Sequence, residues 1–210
     1  MRYLVLIGFA AFLTLAGPVS VSRAVADDSD TCAHGSGDAA IAACTQAINS
    51  GRWRDSDLAW AYTNRGNRYR EKGDNDRAIA DLTQAIALDP KFAMAYNNRG
   101  VAYGVKGDND RAIADLIQAI ALDPKFAKAY NNRGLAYAAK GDNDRAIADE
   151  DQAIALDPKY AIAYYNRGFA WERKNDLQKA LTDFEKFTEL DPADPDGPAA
   201  IARVTKVLGR

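Results

Sequence analysis

The chain has 210 residues, of which 27% are charged and 48% hydrophobic, and its formal net charge is −2. Nothing in that balance provides a basic surface for nucleic acid. The length accommodates one or two compact domains or a longer repetitive array.

Met1 to Ala26 opens with Arg2, runs apolar from Tyr3 to Gly17, breaks at Gly17-Pro18 and ends on Ala24-Val25-Ala26. That order of basic start, apolar run and small-x-small triplet predicts a secretory signal peptide over residues 1–26, cut after Ala26. The run is about 15 residues, short of the roughly 20 needed to span a bilayer, so no membrane insertion is expected after cleavage. No Leu-x-small triplet precedes Cys32, which argues against a lipid-anchored N-terminus. Loss of Arg2 and Arg23, with no acid, makes the remaining chain more acidic. The expected location is periplasmic or secreted.

Residues 27–58 read as a degenerate N-terminal cap. Asp27 to Ser36 is polar and expected to be loose, while Asp38 to Ser50 carries a helical stripe of Ile41, Cys44 and Ile48, followed by an insertion from Gly51 to Asp57. The two cysteines, Cys32 and Cys44, are an even pair in an exported chain. Compartment and count favour a disulfide, with two reduced core thiols as the alternative. Cys32, Cys44 and the single histidine, His34, supply three metal ligands at most, in a spacing that fits no zinc pattern.

From Ala59 the chain repeats itself. Gly66, Gly100, Gly134 and Gly168 recur 34 residues apart, as do Pro90, Pro124, Pro158 and Pro192. The units starting at Ala93 and Ala127 differ at only seven positions. A fixed period of this size is the mark of a stacked array, in which each unit buries its apolar face only against its neighbours. Within a unit, Tyr96, Gly100 and Tyr103 stripe a first helix that Gly107-Asp108 stops. Asp108 then caps a second helix striped by Ala112, Ile113, Leu116, Ala119 and Ile120 and ended by Asp123-Pro124. Gly100, Ala112 and Ala119 are small where the antiparallel pair comes close.

The spacing Tyr96, Gly100, Tyr103, Ala112, Leu116, Ala119, Pro124 resembles the tetratricopeptide repeat (TPR), and the resemblance covers residues 59–192 in four units: 59–92, 93–126, 127–160 and 161–194. It implies an all-α, right-handed superhelical solenoid with a concave groove lined by first helices, and a role in binding a peptide or partner protein. By that resemblance the second, fifth and ninth positions of each first helix face the groove. They are Trp60, Thr63 and Asn67, then Met94, Asn97 and Val101, then Lys128, Asn131 and Leu135, then Ile162, Tyr165 and Phe169. Some family members clamp a chaperone's C-terminal carboxylate; Asn67, Asn98 and Lys128 match that clamp, but Thr63 and Asn132 replace two of its cations. A peptide with a polar middle near Asn97, Asn131 and Lys128 and an apolar anchor on Ile162, Tyr165 and Phe169 fits better, unless the C-terminal helix covers the aromatic end.

Three further features invite a chemical reading. Arg65, Arg99, Arg133 and Arg167 stand where the family usually has a large apolar residue, and Asp81, Asp115, Asp149 and Asp183 sit on the facing helices. A repeated structural ion pair is expected, with Arg99→Met costing less stability than Asp115→Leu. The Gly-Asp-Asn-Asp runs starting at 73, 107 and 141 lack the closing Glu of a calcium loop and read as helix caps. Glu150 replaces Leu82, Leu116 and Phe184, and its carboxylate must find a cation or water; pairing with an Arg of this or the next unit is expected, and drift in a tolerant array is the alternative.

Residues 195–210 predict a capping helix, with Pro198 suited to its first turn and Ile201, Val204, Val207 and Leu208 on one stripe. Phe187, where other units have Ala85, Ala119 and Ala153, predicts a differently packed last interface. With no His-based triad and no phosphate-binding loop, the reading is a cofactor-free binding scaffold, monomeric or weakly self-associating, rather than an enzyme. The alternative is a structural or assembly subunit of an envelope complex, stacking through its ends.

Overall fold

The computed structural model describes residues 29–209, so the expected signal peptide over 1–26 lies outside the described residues. All regular structure in that span is helical. Residues 29–34 are helical, followed by α1 (Gly37–Asn49) and a 3-10 turn (Asp55–Leu58). Four antiparallel pairs come next: α2 (Ala59–Glu71) with α3 (Asn75–Leu88), α4 (Ala93–Val105) with α5 (Asn109–Leu122), α6 (Ala127–Ala139) with α7 (Asn143–Leu156), and α8 (Ala161–Arg173) with α9 (Leu177–Leu190). Helix α10 (Asp196–Val207) closes the end. Each helix packs on the next, and each first helix also touches the first helix of the following pair, so the molecule is an α-solenoid.

The turn inside each pair is set by two residues. Gly73, Gly107 and Gly141 hold φ of 81°, 79° and 82°, and Asn175 takes the same left-handed turn at 62°. Only glycine enters that region without steric cost, with Asn tolerated. The following Asp then caps the second helix: the side chains of Asp74, Asp108, Asp142 and Asp176 accept from the backbone N–H of Arg77, Arg111, Arg145 and Lys179. The acidic runs are therefore caps. Their next acid ties pairs together, since Lys106, Lys140 and Lys174 each donate to Asp76, Asp110 and Asp144 of the preceding pair.

Close approach explains the small residues. A Cβ on Gly66 or Gly100 would lie 2.9 Å from Cγ of Leu82 or Leu116, and one on Gly168 would lie 2.7 Å from the Phe184 ring. The Arg and Asp of every pair meet as expected: Nε and Nη2 of Arg65, Arg99, Arg133 and Arg167 reach the two carboxylate oxygens of Asp81, Asp115, Asp149 and Asp183 at 2.7–2.9 Å. Three of these guanidiniums use Nη1 to reach back to the preceding second helix, at Thr45, Thr83 and Asp151. A fork with a third donor thus bonds within a pair and between pairs at once.

The N-terminal segment departs from expectation. The stretch 29–34 is helical rather than loose, and Cys32 is fully buried. The reason is covalent: Cys32 and Cys44 form a disulfide, with Cα atoms 4.6 Å apart, which ties this turn onto α1 against Ala43, Ala47 and Ala61.

Candidate functional site

The first helices form one wall of the solenoid, the side on which such arrays curve inward. Two adjoining clefts lie along it. The first, about 250 Å³, is lined by Val101, Val105, Ala112, Leu116, Asn132 and Leu135 among others. The second, about 340 Å³, lies between α6 and α8, with Leu135, Ala139, Tyr165, Phe169 and Ala170 as walls and Glu150 and Asn166 among its polar lining. Leu135 and Ala139 line both, so the clefts share a wall.

Of the residues expected to face a ligand, the structure places some outward and others inward. Met94, Leu135 and Ile162 are exposed at 47%, 45% and 38%. Lys128 is exposed, and Val101, Asn98 and Asn67 are half-buried, with Asn67 bonded to Glu71 and Arg70. Thr63, Asn97 and Asn131 are buried, which corrects their expected place on the groove surface. The two amides are spent internally. Asn97 donates to Asn98 and accepts from Asn132, and Asn131 accepts from the Tyr160 hydroxyl while donating to Glu150.

The aromatic end is also more enclosed than expected. Tyr165 packs against Phe169, Phe184 and Phe187 with ring centroids 4.9, 5.7 and 4.8 Å away. Phe187 is the out-of-pattern residue, and it lies under Gly197 at the start of α10. The guanidinium of Arg203 on α10 sits 5.1 Å over Phe169 and pairs with Glu172. Both Tyr165 and Phe169 are half-buried, their remaining surface opening into the second cleft. They form a cleft wall shared with the end core, not free anchors.

Glu150 is the residue whose surroundings the sequence did not disclose. It is 1% exposed, and its hydrogen bonds go to an amide, not to the arginine expected for it. Asn131 Nδ2 donates to both of its oxygens, and Oε1 occupies the space a Cβ on Gly134 would need, 2.8 Å away. Burial pushes the Glu150 carboxyl up to about 9, against the opposing pull of Asn131, Asn166 and Arg167. Asn166 Nδ2 is near enough to exert that pull yet misses hydrogen-bond geometry, so it is buried with no partner among the described residues. Arg167 is already committed to Asp183 and Asp151, which leaves Glu150 an uncharged acid at neutral pH.

Comparison with known proteins identifies the architecture. The family described as TPR repeat matches residues 66–104 and 105–141, and the family described as Tetratricopeptide repeat matches residues 133–205. Residues 66–205 are an array of tetratricopeptide repeats. The TPR array resembles a crystal structure of MamA, 28% identical over 82% of this chain and 93% of that one, with a TM-score of 0.64. TTC0263, a thermophilic TPR protein of Thermus thermophilus, shares the fold at 22% identity, with coverage of 88% and 98% and a TM-score of 0.69. The first TPR domain of Spaghetti (RPAP3), solved with the HSP90 peptide SRMEEVD, is 27% identical, covering 58% of this chain and 97% of that one at a TM-score of 0.56. A search of curated proteins gave no match. Among the described residues of the TPR array, no helix is long and apolar enough to cross a membrane.

Proposed function

We propose that the protein is a non-catalytic interaction scaffold whose first-helix wall receives an extended peptide segment of a partner protein. The observation that carries this reading is the pair of clefts meeting at Leu135, with the apolar side chains of Met94 and Ile162 also exposed near the starts of neighbouring first helices. Large apolar groups lined up beside a groove on a repeat array are suited to successive side chains of an extended chain. A similar TPR domain holding a peptide supports the same mode. The carboxylate-clamp variant of that mode is disfavoured here, because Thr63 is buried and Asn132 is bonded to Asn97. We further propose an extracytoplasmic, oxidising location. The sequence pattern of residues 1–26 and the Cys32–Cys44 disulfide both support it.

A displayed peptide library selected against residues 27–210 tests the groove. Enriched peptides should lose at least about tenfold in affinity for Leu135→Asp, as truncating a central contact does. Ile117→Asp, an exposed apolar position on a second helix, should leave them unchanged. Equal effects at both positions, or no enrichment, would overturn the reading.

A further inference from the structure

Glu150 serves no evident structural purpose that an apolar residue does not serve better. Leu82, Leu116 and Phe184 fill the same place in the other pairs and pack directly over Gly66, Gly100 and Gly168. In this pair a carboxyl takes that place, and it lines the second cleft. Two amides stand around it. Asn131 already donates to it from α6, and Asn166 Nδ2 waits without a partner on α8. A neutral acid needs few donors, whereas a carboxylate needs several. The cluster is therefore only partly satisfied as it stands, and it becomes satisfied when the carboxyl is charged. Charging it requires a cation, and the arginines around it are committed elsewhere: Arg167 is held by Asp183 and Asp151, Arg133 by Asp149, and Arg173 donates to the Ala138 carbonyl.

We propose that the cleft between α6 and α8 is a specificity pocket for a primary alkylammonium group, its stem against Leu135, Tyr165 and Phe169 and its head against Glu150. This deepens the groove reading and rests on it, the ammonium being a lysine side chain of the docked segment. The walls favour this chemistry over an anion or a plain alkyl group. Aromatic faces attract a cation, and the Glu150 carboxyl can complement one by losing its proton, which it cannot do for an anion. A plain alkyl group would leave the carboxyl and the Asn166 amide unsatisfied.

Binding is coupled to proton release. The entering R–NH3+ keeps its three protons, the Glu150 carboxyl gives its proton to solvent, and the resulting carboxylate accepts from the ammonium, Asn131 and Asn166. No bond to carbon forms or breaks. The charged and titratable groups around Glu150 and its cleft are Asp149 on its own helix, Tyr160 at the start of α8, and Tyr165, Arg167 and Arg173 on α8; Asp149 and Arg167 are locked in ion pairs, and Arg173 donates to the Ala138 carbonyl. Glu150 is left as the group that titrates on binding.

The test uses n-pentylamine and 1-pentanol as probes, followed by calorimetry and by chemical shifts of the Asn131 and Asn166 side-chain amides, on residues 27–210. In the wild type, n-pentylamine should bind with release of about one proton at neutral pH, and more tightly at about pH 8 than at about pH 6. Glu150→Gln keeps the shape and removes the ionisation; it should weaken n-pentylamine by at least about tenfold, abolish proton release and leave 1-pentanol within about twofold. Arg173→Ala, which removes a like charge from the cleft lining, should tighten n-pentylamine. Equal binding of the two probes to the wild type, undiminished amine binding to Glu150→Gln, or no binding at all would overturn the pocket. Because these probes need no peptide, the pocket can fail while the peptides selected through Leu135 still bind, and the two readings are judged apart.

Discussion

Asn131 Nδ2 donates to both carboxyl oxygens of Glu150, at 3.0 Å to Oε1 and 2.8 Å to Oε2. That bond favours the charged form, and burial outweighs it, so the acid keeps its proton. The carboxyl titrates near 9 in the folded chain against an ordinary 4.5, so between those values the folded state keeps a proton that the unfolded state has given up. The stabilising contribution of the protonated acid is complete below about 4.5 and is lost as pH rises toward 9. Chemical denaturation of wild type and Glu150→Leu from about pH 5 to about pH 8 should show the variant gaining on the wild type by up to about 1.4 kcal/mol per pH unit. A pH-independent difference would mean that water reaches the carboxyl.

The repeated ion pair makes a prediction whose order the structure reverses. Asp115 is 7% exposed and both its oxygens are held by Arg99, whereas Arg99 also reaches Thr83 and lies about 6 Å from the ring centres of Tyr96 and Tyr103. Removing the arginine strands a carboxylate; removing the aspartate leaves a guanidinium with other partners. Arg99→Met should therefore cost more than Asp115→Leu, by about 1–2 kcal/mol in denaturant titrations, contrary to the expectation from sequence.

Two glycines four residues apart should respond oppositely to the same change. A Cβ on Gly100 lies 2.9 Å from Leu116 Cγ and 3.1 Å from the Ala112 carbonyl, while one on Gly104 meets nothing closer than Ala112 Cβ at 3.9 Å. Gly100→Ala should lose about 1–3 kcal/mol by forcing α4 and α5 apart. Gly104→Ala should gain about 0.5–1 kcal/mol from helix propensity, and Ala138 already stands at the equivalent place in the following pair. Thermal melts of the two variants decide it.

The disulfide closes a short loop onto an end of the array, where only one neighbour contributes packing. Cys32→Ala with Cys44→Ala should lower stability by about 2–3 kcal/mol, and the loss should appear first in hydrogen exchange of α1. Non-reducing peptide mapping should recover the linked pair from the native protein. Exchange that rises uniformly along the array would instead show that the end and the centre unfold together.

The helix pairs, their caps and the Arg–Asp forks were legible in the sequence because they are local and repeated. The interval of 34 residues sets the geometry once, and Gly73-Asp74 or Arg65 and Asp81 then recur in the same register. The cysteine pair was legible as well, since two thiols allow a single pairing. Three features were not. Asn97 and Asn131 turn inward; Tyr165 and Phe169 join an end core with Phe187 and Arg203, which the sequence offered only as an alternative; and Glu150 meets an amide instead of an arginine. Each depends on contacts between residues of different helices or on the closing helix α10, where side chains 19 to 35 positions apart meet. Periodicity says which helix face a residue occupies, and only the assembled stack decides which of the competing donors reaches a buried carboxyl first.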